Sequence, residues 1–255
     1  MYCANNPVMY TDPWGLEYIV VSGSEEDGRY KYNFIEPAIK KIIELKENAG
    51  DERITWIVSE TAYSEEALQK MNDIAYDLGI GFERIESAAE LQNYINSQNV
   101  NQWELSVSRL NDPITKIVFF SHGVKGSVEL GYGQSNQKAL SVDKNIVYGM
   151  FSEAFDSPNT WFYSCNAATG GEDSIAKNWH NVAGGFTGGY IGKTNYEYIM
   201  YPKNYASYKK LWSKKMRNID ASIDSRRAAY GFSEKGSDYY PVPSNGSTLV
   251  TYGGR

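Results

Sequence analysis

Apolar runs and amphipathic stretches alternate along most of this chain. Short runs rich in Val, Ile and aromatic residues, closed by Gly or polar residues, are typical of strands. They fall at residues 17–23, 53–59, 81–85, 116–121 and 159–165. Apolar residues at helical spacing lie between them, at residues 34–50, 64–79, 87–97, about 143–155 and about 173–183. This alternation predicts an α/β fold with a mostly parallel sheet that helices cover on both faces.

The remaining segments give weaker patterns. Residues 98–113 are expected to form a loop, residues 126–133 a hairpin, and the Gly-rich run 184–194 a strand region. Residues 203–229 predict a basic amphipathic helix, which we interpret as a solvated face, with contact to an anionic membrane or an acidic partner as alternatives. The turn-rich tail after it is expected either to be loosely ordered or to lie across the body as an edge strand.

Composition narrows the function classes. The chain has 255 residues and a net charge of −6, which argues against a dedicated nucleic-acid binder. Its only cysteines are Cys3 and Cys165, and its only histidines are His122 and His180, in a spacing that fits no zinc site. We therefore predict no disulfide framework, no metal and no cofactor. No apolar run approaches the roughly 18–20 residues that span a bilayer, and the N-terminus lacks a signal-peptide pattern.

Two apolar runs end in a reactive residue. "KIVFFSHG" leads through Ser121 into His122 and Gly123, and "NTWFYSCN" leads through Ser164 into Cys165. Because the carboxyl ends of parallel strands meet at one edge of a sheet, His122 and Cys165 are expected to lie together, where the imidazole can take the thiol proton. A glycine after the histidine lets the backbone turn sharply, and the N–H groups of Gly123 and Cys165 can together hold an oxyanion.

Each of these residues also has a structural interpretation. A cysteine at the end of an apolar strand is most often a small buried hydrophobe, and a lone histidine is often a hydrogen-bonded structural group. The occurrence of both at strand ends, with Gly123 beside the histidine, favours chemistry over packing. His180 lies in the middle of a predicted helix beside Trp179, with no reactive residue near it, and we interpret it as structural.

The first sixteen residues carry a specific pattern. "YCANNPVMYTDPWGL" resembles the end of the core domain of Rhs/YD-repeat proteins, whose pattern is N-N-P-x-x-Y-x-D-P-x-G-L. The resemblance implies that residues 1–16 are a remnant of an Rhs shell, that Asp12 belonged to its self-cleavage apparatus, and that a toxin domain begins at Glu17. Leu16–Glu17 is then the expected release bond. It further implies secretion by a specialised system, delivery into the cytoplasm of a target cell, and a cognate immunity protein as partner.

A second resemblance covers about residues 17–194. "IVFFSHG" and "WFYSCN", with the Gly-containing hairpin and a helix between them, resemble the clan CD cysteine peptidases, which have a caspase-like three-layer sandwich fold and include clostripain, gingipain, separase and CHAT-type members. The resemblance implies that His122 is the general base or acid, that Cys165 is the nucleophile, and that Gly123 supplies an oxyanion amide. The Q-A-C motif of true caspases is absent, so cleavage after Asp is not implied.

Several polar residues near Cys165 are candidates for a substrate pocket, namely Ser121, Ser164, Asn166 and Asp173. The run "GGEDS" at 170–174 has a second interpretation, in which Asp173 or Ser174 caps the following helix. The expected organisation is a shell remnant at 1–16, a catalytic domain at 17–200, and a basic helix with a tail packed on it at 201–255.

Three functions are compatible with these observations. The first is an Rhs-delivered toxin that acts as a cysteine endopeptidase on a protein substrate. The second is a toxin of another chemistry, such as a nuclease or a nucleotide-modifying enzyme, since a fold does not determine a function. The third is a non-catalytic binding module on a caspase-like scaffold.

Overall fold

The computed structural model of the chain describes residues 15–25, 32–48, 50, 52–196, 242–243 and 246–254. The strands, in chain order, are β1 (Glu17–Ser22), β2 (Ser24–Glu25), β3 (Arg53–Ser59), β4 (Gly81–Ile85), β5 (Ile114–Phe120), β6 (His122–Val124), β7 (Ser127–Glu129), β8 (Gly131–Tyr132), β9 (Ser141–Val142), β10 (Phe155–Phe162), β11 (Phe186–Ile191), β12 (Thr194–Asn195), β13 (Val242–Pro243) and β14 (Thr248–Tyr252). The α-helices are α1 (Ile35–Asn48), α2 (Glu65–Leu78), α3 (Ala88–Ser97), α4 (Val107–Asn111), α5 (Lys144–Tyr148) and α6 (Ile175–Ala183).

Seven strands form the main sheet, in the order β14-β11-β10-β5-β1-β3-β4. All neighbouring pairs are parallel except β11–β14, which is antiparallel. The central strands are rich in β-branched and aromatic residues, which pack well on a sheet that is covered on both faces. The predicted fold class, α/β with a mostly parallel sheet flanked by helices, is confirmed, and it is consistent with a caspase-like three-layer sandwich.

The helices lie in two layers, because successive side chains of each strand point to opposite faces. On β5, Phe120 packs with α1 and α2, whereas Phe119 packs with the residues of α3 and α6. On β10, Phe162 stacks on Phe119 at 4.8 Å between ring centroids, and Trp179 of α6 meets both rings edge-on. The two central strands are therefore held by a buried aromatic cluster just below their carboxyl ends.

Serine and glycine residues define the ends of several helices. Ser64 caps α2 by accepting a hydrogen bond from the N–H of Ala67 at 3.3 Å, and Gly79 ends that helix in the left-handed conformation with φ 63°. Ser87 caps α3 by accepting from the N–H of Glu90 at 3.2 Å. The Glu90 carboxylate accepts a hydrogen bond from the N–H of Glu86 rather than from the N–H of Ser87, so Ser87 and Glu90 form only half of a capping box.

Three predicted elements were wrong in detail. The expected loop 98–113 contains α4. The expected hairpin 126–133 does not form as such, because β7 pairs with β6 and β9 while β8 pairs in parallel with β2. The helix expected at about 143–155 ends at Tyr148, and a 3₁₀ turn at Ser152–Ala154 leads into β10.

Two described strands from the C-terminal part of the chain, β13 and β14, pair with strands from earlier segments. β14 pairs with β11 and forms the edge of the main sheet, which is the edge-strand alternative for the tail. β13 pairs antiparallel with β12, with Thr194 opposite Pro243. The expected boundary at residue 200 thus falls between strands of one sheet. The predicted basic helix 203–229 and Asp12 lie outside the described residues.

Candidate active site

The candidate site lies at the carboxyl ends of β5 and β10, which are neighbours in the sheet. Phe119 pairs with Phe162 in the register of these strands. His122 lies three residues after Phe119, and Cys165 lies three residues after Phe162. The two residues therefore lie at the same level beyond the carboxyl ends of their strands. The structure therefore places the two residues that the sequence singled out at the carboxyl ends of neighbouring strands.

The loops that follow the two strands are in direct backbone contact. A methyl group built on Gly123 would lie 2.1 Å from the carbonyl oxygen of Cys165 and 3.0 Å from Cβ of Ser164. No side chain other than hydrogen fits there, which explains physically why glycine follows the histidine. The N–H of Tyr163 donates to the carbonyl oxygen of Phe119 at 2.9 Å, which extends the ladder to the point where the loops meet.

Ser121 and Ser164 tie the two loops together. Their Oγ atoms are 2.9 Å apart, and Ser121 also donates to the carbonyl oxygen of His122 at 3.0 Å. Both residues are buried, with 1% and 0% of their surface exposed. The sequence suggests both as candidate pocket residues; in the structure their buried hydroxyls link the ends of the two strands, and their role in a pocket stays a prediction.

Aromatic rings hold the imidazole of His122 in place. The buried ring of Phe34 meets it edge-on at 5.0 Å between centroids, and the ring of Tyr132 lies 4.8 Å away at 45°. The imidazole is half-buried, and Tyr132 is 44% exposed. Of the two rings that contact the imidazole, Tyr132 is therefore the one that is exposed to solvent. Its position on β8 is set by the parallel pairing of that strand with β2.

Cys165 is half-buried, and its sulfur faces Thr194. The N–H of Thr194 donates to Sγ at 3.3 Å, and Oγ1 of Thr194 lies 3.4 Å from Sγ. Next along the chain, the hydroxyl of Tyr196 donates to the carbonyl oxygen of Tyr163 at 2.6 Å. Burial raises the pKa of Tyr196 well above its ordinary value, and the neighbouring Cys165 adds to the shift, so this phenol stays protonated and remains a donor.

The chain turns sharply directly after the cysteine. Asn166 has φ 57°, a left-handed conformation that Asn tolerates better than most residues, and its N–H donates to the carbonyl oxygen of Gly192 at 2.6 Å. Its side-chain oxygen accepts from Oγ1 of Thr169 at 3.1 Å. Among the residues that the structure describes, no acceptor meets the backbone N–H of Cys165. That N–H is therefore available to a developing oxyanion.

The interpretation of "GGEDS" as the start of a helix is confirmed, and of the two candidate capping residues Ser174 is the one that caps it. The Oγ of Ser174 accepts from the N–H of Lys177 at 3.2 Å and caps α6. Asp173 is exposed and lies in the preceding 3₁₀ turn, Gly171–Asp173. As a pocket residue Asp173 stays a prediction.

The predicted release bond, Leu16–Glu17, lies at the amino end of β1, whereas the candidate site lies at the carboxyl ends of β5 and β10. The carbonyl oxygen of Leu16 accepts from the N–H of Arg53 at 3.1 Å, and the N–H of Glu17 donates to the carbonyl oxygen of Pro113 at 3.0 Å. The side chain of Glu17 is fully buried and pairs with the equally buried Arg109 at 2.6 Å. In the folded chain both polar groups of this peptide unit belong to the sheet.

The carboxylate of Glu17 is ionised despite its burial. Burial alone would raise its pKa, but Arg109 and Arg53, together with hydrogen bonds from Thr55 and Tyr94, hold the pKa below its ordinary value. Glu17 therefore has a structural role in a buried ion cluster.

Sequence reasoning missed three residues of the site, namely Tyr132, Thr194 and Tyr196. A signal for the last two was available. β11 is the parallel neighbour of β10, so residues just after the Gly-rich strand are carried to the same edge as Cys165.

Searches of family models, of curated proteins and of solved structures each found no match to this chain. Within the described ranges, no group of three His, Cys, Asp or Glu residues is placed to hold a metal ion. In the same ranges no helix is both long and apolar enough to cross a bilayer.

Proposed function

We propose that this chain is a cysteine endopeptidase in which His122 and Cys165 form the catalytic dyad. The observation that carries the proposal is the common level of the two residues, each three positions beyond the Phe119–Phe162 pair of adjacent parallel strands. The backbone contact between Gly123 and Cys165 supports it, because it brings the two loops as close as a glycine permits.

The chemistry follows from the residues at the site. His122 accepts the proton of Cys165, and the thiolate sulfur attacks the carbonyl carbon of the scissile peptide. The resulting oxyanion accepts hydrogen bonds from the N–H groups of Cys165 and Gly123. Collapse of the tetrahedral species breaks the C–N bond, and the imidazolium gives its proton to the leaving amine. Water, deprotonated by His122, then hydrolyses the thioester and regenerates the thiol.

We also propose that the peptidase is the C-terminal toxin of an Rhs precursor and acts inside a target cell. The junction pattern on residues 5–16 supports this, and so does the start of β1 at Glu17, directly after the pattern ends. The shell of the precursor and a cognate immunity protein are the implied partners, and a protein of the target cell is the implied substrate.

The test is a census of new protein N-termini in target cells that express the full chain. Cells expressing the wild type are compared with cells expressing Cys165→Ala or His122→Ala. New termini that share one preceding residue and occur only with the wild type would support the proposal and give the cleavage specificity.

A matched control is His180→Ala, which removes the other histidine. His180 is half-buried on α6, and its ring stacks on that of Tyr252 in the edge strand β14 at 6.2 Å between centroids. Because it contacts this edge strand rather than the ends of β5 and β10, the variant should retain the new termini. Equal toxicity of Cys165→Ala and wild type would contradict the proposal. Cell death without new termini would direct attention to nucleic acids and nucleotides.

A further inference from the structure

Three polar atoms of one residue surround the sulfur of Cys165. The N–H of Thr194 donates to Sγ at 3.3 Å, Oγ1 of Thr194 lies at 3.4 Å, and its carbonyl oxygen lies at 3.8 Å. A thiol can donate to the carbonyl or the hydroxyl oxygen, whereas a thiolate can accept from the N–H and the hydroxyl. The same residue therefore offers hydrogen bonds to both forms of the nucleophile.

The backbone holds Thr194 firmly in this position. Thr194 is 8% exposed and lies on β12, three residues after the end of β11. β12 pairs antiparallel with β13, which places Thr194 opposite Pro243. The pairing with β13 and the short connection to β11 thus fix the direction in which the N–H of Thr194 points to the sulfur. The backbone therefore needs to move little when negative charge develops on the sulfur.

The hydroxyl of Thr194 has a choice of two acceptors. It can donate to the carbonyl oxygen of Tyr163 at 3.4 Å or to Sγ of Cys165. The hydroxyl of Tyr196 donates to that same carbonyl oxygen at 2.6 Å. The carbonyl therefore keeps a donor when the Thr194 hydroxyl turns to the sulfur, and no buried acceptor is left without a hydrogen bond.

We propose that Thr194 supports the thiolate of Cys165, with its backbone N–H fixing the sulfur and its hydroxyl turning to the sulfur once the proton has moved to His122. This role rests on the proposed cysteine chemistry but does not depend on which substrate is cleaved. It predicts that Thr194 controls the intrinsic reactivity of the thiol, even when no protein substrate is present.

The test measures the rate at which iodoacetamide alkylates Cys165 in the full chain at one fixed pH. In this reaction the thiolate sulfur displaces iodide from carbon, and the only other thiol is removed by a Cys3→Ser background. Thr194→Val keeps the shape and the backbone N–H but removes the hydroxyl. We expect it to react about tenfold more slowly, since hydrogen bonds to charged groups are the stronger ones. Thr194→Ser, which restores a hydroxyl, should return most of the rate.

Two further measurements keep the result interpretable. Thr194→Ala removes the hydroxyl without placing a methyl group in the position of Oγ1, and it should also slow alkylation. The thermal unfolding midpoint of each variant shows whether it is folded at the assay temperature. If Thr194 merely packed against the sulfur, both Val and Ala would leave the rate unchanged, or Ala would raise it by exposing Sγ. Either of those results would overturn the inference.

The alkylation result is separable from the peptidase proposal. Suppose that Thr194→Val is alkylated slowly and that cells expressing the wild-type chain show no new N-termini. This result would uphold the role of Thr194 and reject peptidase activity. Wild-type alkylation of Thr194→Val in a chain that does generate new N-termini would reject the role of Thr194 and leave the peptidase proposal standing.

Discussion

The contact between Gly123 and Cys165 makes a demanding prediction for Gly123→Ala. The added Cβ would lie 2.1 Å from a backbone oxygen, and built Cβ atoms below 3.0 Å force something to shift. Because the neighbour is backbone, one loop must move by about 1 Å, and a displacement of that size between catalytic groups can reduce activity by about 100-fold. We expect that loss, together with a fall of about 1–3 kcal/mol in the free energy of unfolding, typical of overpacking.

A neighbouring glycine provides the matched control. Gly126 lies in the turn between β6 and β7 with φ 87°, and a Cβ built there meets nothing within 4 Å. Gly126→Ala should lower the free energy of unfolding by about 1–2 kcal/mol, through backbone strain alone, and leave activity intact. The assays are the count of new N-termini in cells and chemical denaturation. Wild-type activity of Gly123→Ala in a folded protein would refute the argument that the loops must touch for the dyad to work.

The buried ion cluster around Glu17 gives three further predictions. Arg109→Met leaves the fully buried Glu17 carboxylate without its closest cation, and we expect chemical denaturation to show a loss of about 3–5 kcal/mol. Arg53→Met removes a cation whose side chain is 41% exposed, so it should cost about 0–1 kcal/mol, and equal losses would contradict the assignment. Burial, with a contribution from Glu17, raises the pKa of Asp112 to about 6 from 3.8, so the stability it contributes at low pH is lost as the pH rises from 3.8 through 6. Above pH 6, Asp112→Asn should therefore be more stable than wild type by about 1–2 kcal/mol, a value reduced to allow for partial solvent access. At pH 4 the two proteins should have similar stability. Thermal unfolding measures the difference, and a difference that stays constant from pH 4 to above pH 6 would contradict the prediction.

The sequence was sufficient for the central strands and for the position of His122 and Cys165 beyond their carboxyl ends, because an apolar run that ends in a polar residue marks the carboxyl end of a strand in a parallel sheet. It was insufficient for α4, where Val107 and Leu110 are exposed and Arg109 is buried, the reverse of an amphipathic pattern. Arg109 can be buried because it pairs with the carboxylate of Glu17. Glu17 lies 92 residues away in the chain, so no local sequence pattern indicates the pair.

The contact between Thr194 and Cys165 was missed for a similar reason. Thr194 reaches Cys165 only because β11 lies beside β10, and strand order is not written in any single segment. Glu17 was interpreted as the first residue of a released domain, and its sequence neighbours give no sign that it ends in a buried cluster. In both cases the information lies in pairings between distant parts of the chain.

The position of the Leu16–Glu17 peptide unit imposes an order of events on this chain. A protease binds its substrate as an extended strand, and it needs the same N–H and carbonyl groups that this unit gives to Pro113 and Arg53. Once β1 has joined the sheet, the bond is closed to cutting until the strand leaves again. If this bond is the release bond, as we propose, its cleavage requires a chain in which β1 has not yet paired with its neighbours or has left them again.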